Sequence, residues 1–141
     1  MKIFDQWQTY ALASAFFAGL VAVLAKIGVA NIPSNAATLI RTAVITIFLV
    51  VLVSLRQEWT NPLLLDKKSL IFLVLSGLAT GLSWLCYFRA LQIGPVSGVA
   101  ALDKLSLIFA VVMATLFLNE HLGWQQWGGV LLMTCGALLL F

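Results

Sequence analysis

Trp84-Leu-Cys-Tyr-Phe-Arg-Ala-Leu-Gln-Ile-Gly-Pro-Val-Ser-Gly-Val-Ala-Ala-Leu-Asp-Lys-Leu-Ser106 decides how the chain is read. An apolar run is broken at Gly94-Pro95 and followed by a second apolar run. Arg89 stands before the break, and Asp103 and Lys104 stand after it. Both runs are apolar enough for lipid, where an ionisable residue at a helix centre costs about 2.5–3.5 kcal/mol on translocon scales. Each such residue therefore needs an escape to the interface, a partner or a ligand.

The remaining composition fixes the solvent. Hydrophobic residues make up 62% of the 141 and charged residues 9%, against about 25% charged in an ordinary soluble domain. So few charges do not cover a water-facing surface, and the expected surroundings are membrane lipid. The length suits a single domain over residues 1–141. The net charge of +3 fits a basic cytoplasmic loop, and no basic run points to nucleic acid. Cys86 and Cys135 lie apart in apolar runs without a CxxC spacing, and read as inert core thiols.

A hydrocarbon core about 30 Å thick takes about 20 helical residues. On that measure the chain is all-α, a polytopic membrane helix bundle of five transmembrane helices at about 7–29, 36–55, 69–92, 96–118 and 124–141. Asn31-Ile-Pro-Ser-Asn35, the loop 56–68, Gly94-Pro95 and Asn119-Glu-His-Leu-Gly123 connect them. The first span reads as retained: polar residues precede Ala11-Leu-Ala13, so it lacks the plan of a cleaved signal. An odd number of spans puts the termini on opposite sides. Lys2 and the loop 56–68 define the cytoplasmic side of the inner membrane, with Trp7, Trp59, Trp124 and Trp127 at that interface. Lys26, Arg41, Arg89 and Lys104 lie near the opposite ends of their spans, however. Counting span ends as well as loops gives four basic residues against four, a balance that predicts insertion in both orientations.

Small residues recur at four-residue spacing: Ser14, Ala18 and Ala22; Ala11, Ala15 and Gly19; Gly77 and Gly81; Gly94 and Gly98. Such stripes let helices approach closely in lipid, and the expectation is packing within the bundle.

The polar residues share a depth. Lys26, Arg41, Arg89, Asp103 and Lys104 all fall in one half of the bilayer, roughly 8–12 Å from the turns at 1.5 Å per residue. Asp103 and Lys104 are adjacent on one helix, so they diverge by about 100°. Arg89 is the expected partner of Asp103. The structural alternative is that the long basic side chains snorkel to the nearer interface. The functional reading is a water-filled cavity that attracts an anionic or zwitterionic group, with Trp84 and Tyr87 against the body of the solute. Glu120 and His121 read as a helix end facing water. No paired carboxylates, Ser/His/Asp set, phosphate loop or metal-ligand cluster is present in the sequence, so neither an enzyme nor a cofactor is expected.

Arg89-Ala-Leu-Gln-Ile-Gly-Pro-Val-Ser-Gly-Val-Ala, Leu102-Asp-Lys-Leu-Ser106 and Leu116-Phe-Leu-Asn-Glu-His-Leu122 together resemble the EamA-type domain of the drug/metabolite transporter superfamily. The likeness lies in Ala90-Leu91 ending a helix, the turn at Gly94-Pro95, and a long apolar helix closing on Glu120. Arg41, within Leu39-Ile-Arg-Thr-Ala43, resembles the family's second-span arginine. Where many members carry a proline in the fourth span, this chain has Leu102-Asp103-Lys104, as in the short five-span branch.

The resemblance implies a transporter built from two inverted five-helix units, with the site near the midplane where the repeats meet. A chain with one unit is then expected to pair, as an antiparallel homodimer or with a homologous partner. Lys26, Arg41, Trp84, Tyr87, Arg89, Asp103 and Lys104 are the expected substrate-binding residues of a small-solute permease or exporter. Two other readings stay open: a translocator of lipid-linked headgroups, and a non-transporting accessory subunit of another membrane protein.

Overall fold

The computed structural model describes residues 6–140. Lys2, on which part of the charge balance rests, lies outside the described residues. Apolar sequence in lipid leaves the backbone no solvent to bond, so it closes its hydrogen bonds within helices. Among the described residues six α-helices form: α1 (Gln6–Gly28), α2 (Ser34–Arg56), α3 (Lys67–Ile93), α4 (Val96–Asp103), α5 (Ser106–Phe117) and α6 (Trp124–Leu138), with a 3₁₀ turn at Pro62–Leu64. No strand occurs among the described residues.

The helix ends follow local chemistry. Pro33, its φ held at −53°, precedes α2, and its carbonyl accepts the Ala37 N–H at 3.0 Å. Pro95 does the same for α4, accepting from Val99 at 3.0 Å. A proline has no N–H to leave unsatisfied at a helix start. Gln57 turns left-handed, with φ 53°, and ends α2: its N–H reaches Ser54 O and that of Glu58 reaches Val53 O. These are the two bonds of a Schellman closure. Asp66 opens α3 by accepting the Ser69 N–H on its carboxylate at 3.3 Å, as a good N-cap does.

Hydroxyls within the helices bond back to the preceding turn. Thr38, Thr42 and Thr46 donate to the carbonyls of Ser34, Thr38 and Thr42 at 2.9, 2.8 and 2.9 Å. Each hydroxyl is thereby satisfied inside a helix that faces lipid.

Four stretches are long and apolar enough to cross a membrane: α1, α2, α3, and the joined length Val96–Phe117. Helix α6 has 15 residues, about 22 Å at 1.5 Å per residue, less than the about 30 Å of a hydrocarbon core. The described residues thus hold four full-length candidate spans and a shorter last helix.

The chain divides into two compact units. One is Lys26–Gln92, whose buried residues include Val29, Ser34, Thr38, Phe88 and Leu91. The other joins the described residues up to Ala25 with those from Ile93 onward. In it α6 packs against both α4 and α5, and Gly98, Ala101, Val130 and Ala137 are buried. These residues are small or slender, as close helix contacts in lipid require.

Three expectations change. The fourth span is not one helix: it breaks after Asp103, and Lys104 and Leu105 bond three residues back, to Ala101 O and Leu102 O at 3.1 and 2.9 Å. Cys86 and Cys135 are free thiols but exposed, not core. The Gly77/Gly81 stripe is not consumed by packing within the chain, since a Cβ at either position meets no atom within 4 Å.

Candidate functional site

The unit Lys26–Gln92 holds five of the seven expected site residues: Lys26, Arg41, Trp84, Tyr87 and Arg89. On α2, Ser34, Thr38 and Arg41 follow a four-three stride, which keeps them on one helix face. Ser34 and Thr38 are buried and Arg41 half-buried. On α3, Trp84, Phe88 and Leu91 follow the same stride, with Trp84 half-buried and the other two buried.

Arg41 joins the two helices. Its guanidinium carbon lies 4.2 Å from the centroid of the Trp84 ring and 5.3 Å from that of Phe88. Both distances are within the reach of a cation–π attraction, which is worth about 2 kcal/mol or more where water is excluded. Tyr87 is next to this pair, its ring edge-on to Phe88 with centroids 6.5 Å apart.

Lys26 and Arg89 behave differently. Lys26 Nζ donates to the Leu91 carbonyl at 2.6 Å. A lysine in the last turn of α1 thus also caps the C-terminal end of α3, where free carbonyls and the helix dipole favour a cation. Arg89 Nη1 donates to Gln92 Oε1 at 2.7 Å. The amide nitrogen of Gln92 in turn reaches the Ile32 carbonyl at 3.1 Å and that of Val29 at 3.5 Å. This relay ties the Asn31–Pro33 turn to the end of α3.

The common depth of the basic residues therefore holds for their backbones but not for their charges. Lys26 places its ammonium two residues from the end of α3, about 3 Å along the axis. Arg41 places its guanidinium beside Trp84 and Phe88, about 8 to 13 Å from that end. Lys26 extends its alkyl stem to a helix end, whereas Arg41 lies on aromatic faces.

Asp103 and Lys104 belong to the other unit. Within its own unit each residue has a partner close in sequence: Gln92 for Arg89, and Lys104 for Asp103 at 3.7 Å. Divergence by a helical step fails at this point because α4 ends at Asp103, which lets two exposed, flexible side chains meet. Glu120 and His121 are exposed beyond the end of α5, after Asn119 turns left-handed with φ 54°. Among the described residues, no three His, Cys, Asp or Glu side chains gather where they could hold a metal ion.

Sequence reasoning missed Phe88 and Gln92. The four-residue step from Trp84 to Phe88 was visible, but only the position of Arg41 makes it a cation seat. Gln92 is an uncharged polar residue at a helix end, and nothing in its neighbours announces two carbonyl acceptors from another turn.

Comparison with known proteins places the chain in a family. Residues 6–141 match the model of the EamA-like transporter family. A protein of Sinorhizobium sp. named as an uncharacterized transporter in the cobO 3′ region is 50% identical over 136 residues, covering 96% of each chain. No solved structure matches. An all-helical, multi-pass chain, matched along its whole described length and half identical to a protein named as a transporter, is a membrane transporter that belongs to the EamA-like transporter family.

Proposed function

We propose that this chain is a half-size permease or exporter of a small metabolite, one five-helix domain that works as a pair in the inner membrane by alternating access. The observation that carries the reading is Arg41. A guanidinium kept at depth against Trp84 and Phe88, instead of at the interface, is what a polar solute path needs and a sealed bundle does not. Arg41, Trp84 and Tyr87 contact the solute. Lys26 and Arg89 set the geometry of the turn at the mouth. Asp103 and Lys104, at the break in the fourth span, become wetted as the path opens.

Pairing follows from family logic: an odd number of spans needs an inverted second unit to make a two-sided path. Two observations support it. The basic residues are balanced between the span ends, and Gly77 and Gly81 offer an open small-residue stripe of the kind that packs against a second helix. The pair is an antiparallel homodimer or a complex with a homologous partner.

The test is reconstitution in liposomes, with uptake of a panel of labelled amino acids and organic acids. Crosslinking in the native membrane and cysteine labelling of the loop 56–68 from each side accompany it. Cys86 and Cys135 are exposed and are replaced by serine first. Expected are saturable flux of one solute class, a crosslinked pair lost in G77L/G81L, and labelling from both sides. Flipping of a fluorescent lipid headgroup without solute flux shifts the function to headgroup translocation. A stoichiometric foreign partner with no flux at all makes the chain an accessory subunit.

A further inference from the structure

The unit Lys26–Gln92 and the fourth span contain four basic residues at membrane depth, and three of them have polar partners in the chain. Lys26 is bonded to the Leu91 carbonyl, Arg89 to Gln92, and Lys104 faces Asp103. Arg41 lies on the rings of Trp84 and Phe88, with the Tyr87 side chain close enough to interact with its charge. Among the described residues its guanidinium makes no ion pair and no side-chain hydrogen bond. A ring face attracts the positive charge but leaves most of the five N–H donors of a guanidinium without an acceptor. Donors without an acceptor in the chain are free to take one from a bound group.

We propose that Arg41 is the anion-recognition residue of this chain, taking one oxyanion, a carboxylate or a phosphate, on the N–H edge of its guanidinium while Trp84 and Phe88 hold it in place. The inference rests on the reading of the chain as a solute carrier, and narrows the solute to one with such a group. Two parallel N–H···O bonds suit a planar fork facing two oxygens, a geometry a lysine ammonium does not reproduce. The aromatic seat adds pre-organisation: the side chain is already ordered before the anion arrives, so less entropy is lost on binding. Two sources carry this chemistry, a dissolved solute and a phospholipid headgroup.

The chain has three arginines, Arg41, Arg56 and Arg89, so arginine-labelled protein gives three Nε–Hε signals in an NMR spectrum. The wild-type protein in maltoside micelles, which hold no phosphate, is titrated first with inorganic phosphate and acetate, then with phosphatidylglycerol. R41K assigns the Arg41 signal. The expected result is a saturable shift of Arg41, while Arg89, already bonded to Gln92, and exposed Arg56 move little. A shift with the dissolved anions supports the proposal with solute as occupant. A shift with phosphatidylglycerol alone supports it with a headgroup as occupant. An Arg41 signal that answers neither, or three signals that drift together, overturns it. Flux in liposomes separates the two levels of the reading. Flux with an unresponsive Arg41 removes the anion site and leaves transport standing. A responsive Arg41 without flux of any solute does the reverse.

Discussion

Helices α2 and α3 and the fourth span meet one problem, ionisable residues in lipid, in two ways. In the unit Lys26–Gln92 the helices run unbroken past the basic residues, and these find side-chain or carbonyl partners: Arg41 on Trp84 and Lys26 on Leu91 of another helix, Arg89 on Gln92 of its own. In the fourth span the backbone gives way. Helix α4 stops at Asp103, three-residue bonds follow, and the two charges pair with each other across the break. A continuous helix with interhelical ties is suited to holding a group in place. A span with a 3₁₀ step in its middle is suited to bending, since such stretches often mark hinges.

That contrast is open to direct attack. The largest expected effect is on Arg41: R41Q lowers solute flux by roughly 100-fold, the scale of losing a charge-assisted bidentate contact, while R41K restores only part. Equal flux in R41Q and wild type, at equal protein in the membrane, removes the holding role from α2 and α3. Next comes the backbone itself. Amide hydrogen exchange from Lys104 to Ile108 is expected to run about 10 to 100 times faster than from Thr38 to Thr46, because local opening is easier where helical bonds are interrupted. Similar protection in the two segments would mean the break is static.

A smaller effect is expected at Lys26. Interhelical hydrogen bonds in membranes average about 0.6 kcal/mol and reach about 1.7, so K26M should lower unfolding stability in mixed micelles by about 1 kcal/mol with flux largely kept. A loss of flux without a loss of stability would instead place Lys26 on the solute path. The smallest effect is expected at the exposed Arg56–Glu58 pair, 3.8 Å apart. Exposed pairs contribute little, and R56A should leave both stability and flux unchanged.

The legible parts of the chain were those set by local rules. Pro33 and Pro95 mark helix starts wherever the fold goes, and span boundaries fall within two or three residues of the expected ones through the first three helices. The fourth span misled because Leu102-Asp103-Lys104 is apolar enough in its flanks to look continuous. Nothing in hydropathy distinguishes a helical bond to the fourth residue from one to the third. Arg89 and Asp103 match in depth and in charge, but a polar side chain one turn along the same helix also competes for a guanidinium, and Gln92 takes it.

By itself the sequence determined the solvent, the helical class, the turns and the family, because each depends on runs of residues whose chemistry is local or additive. Tertiary structure alone decided where each charge ends up. Lysine and arginine stems are long enough to reach either the interface or a neighbouring helix from one backbone depth, so periodicity does not choose between them. The choice falls to whatever rings and carbonyls the fold brings within reach: for Lys26 a helix end, for Arg41 two aromatic faces.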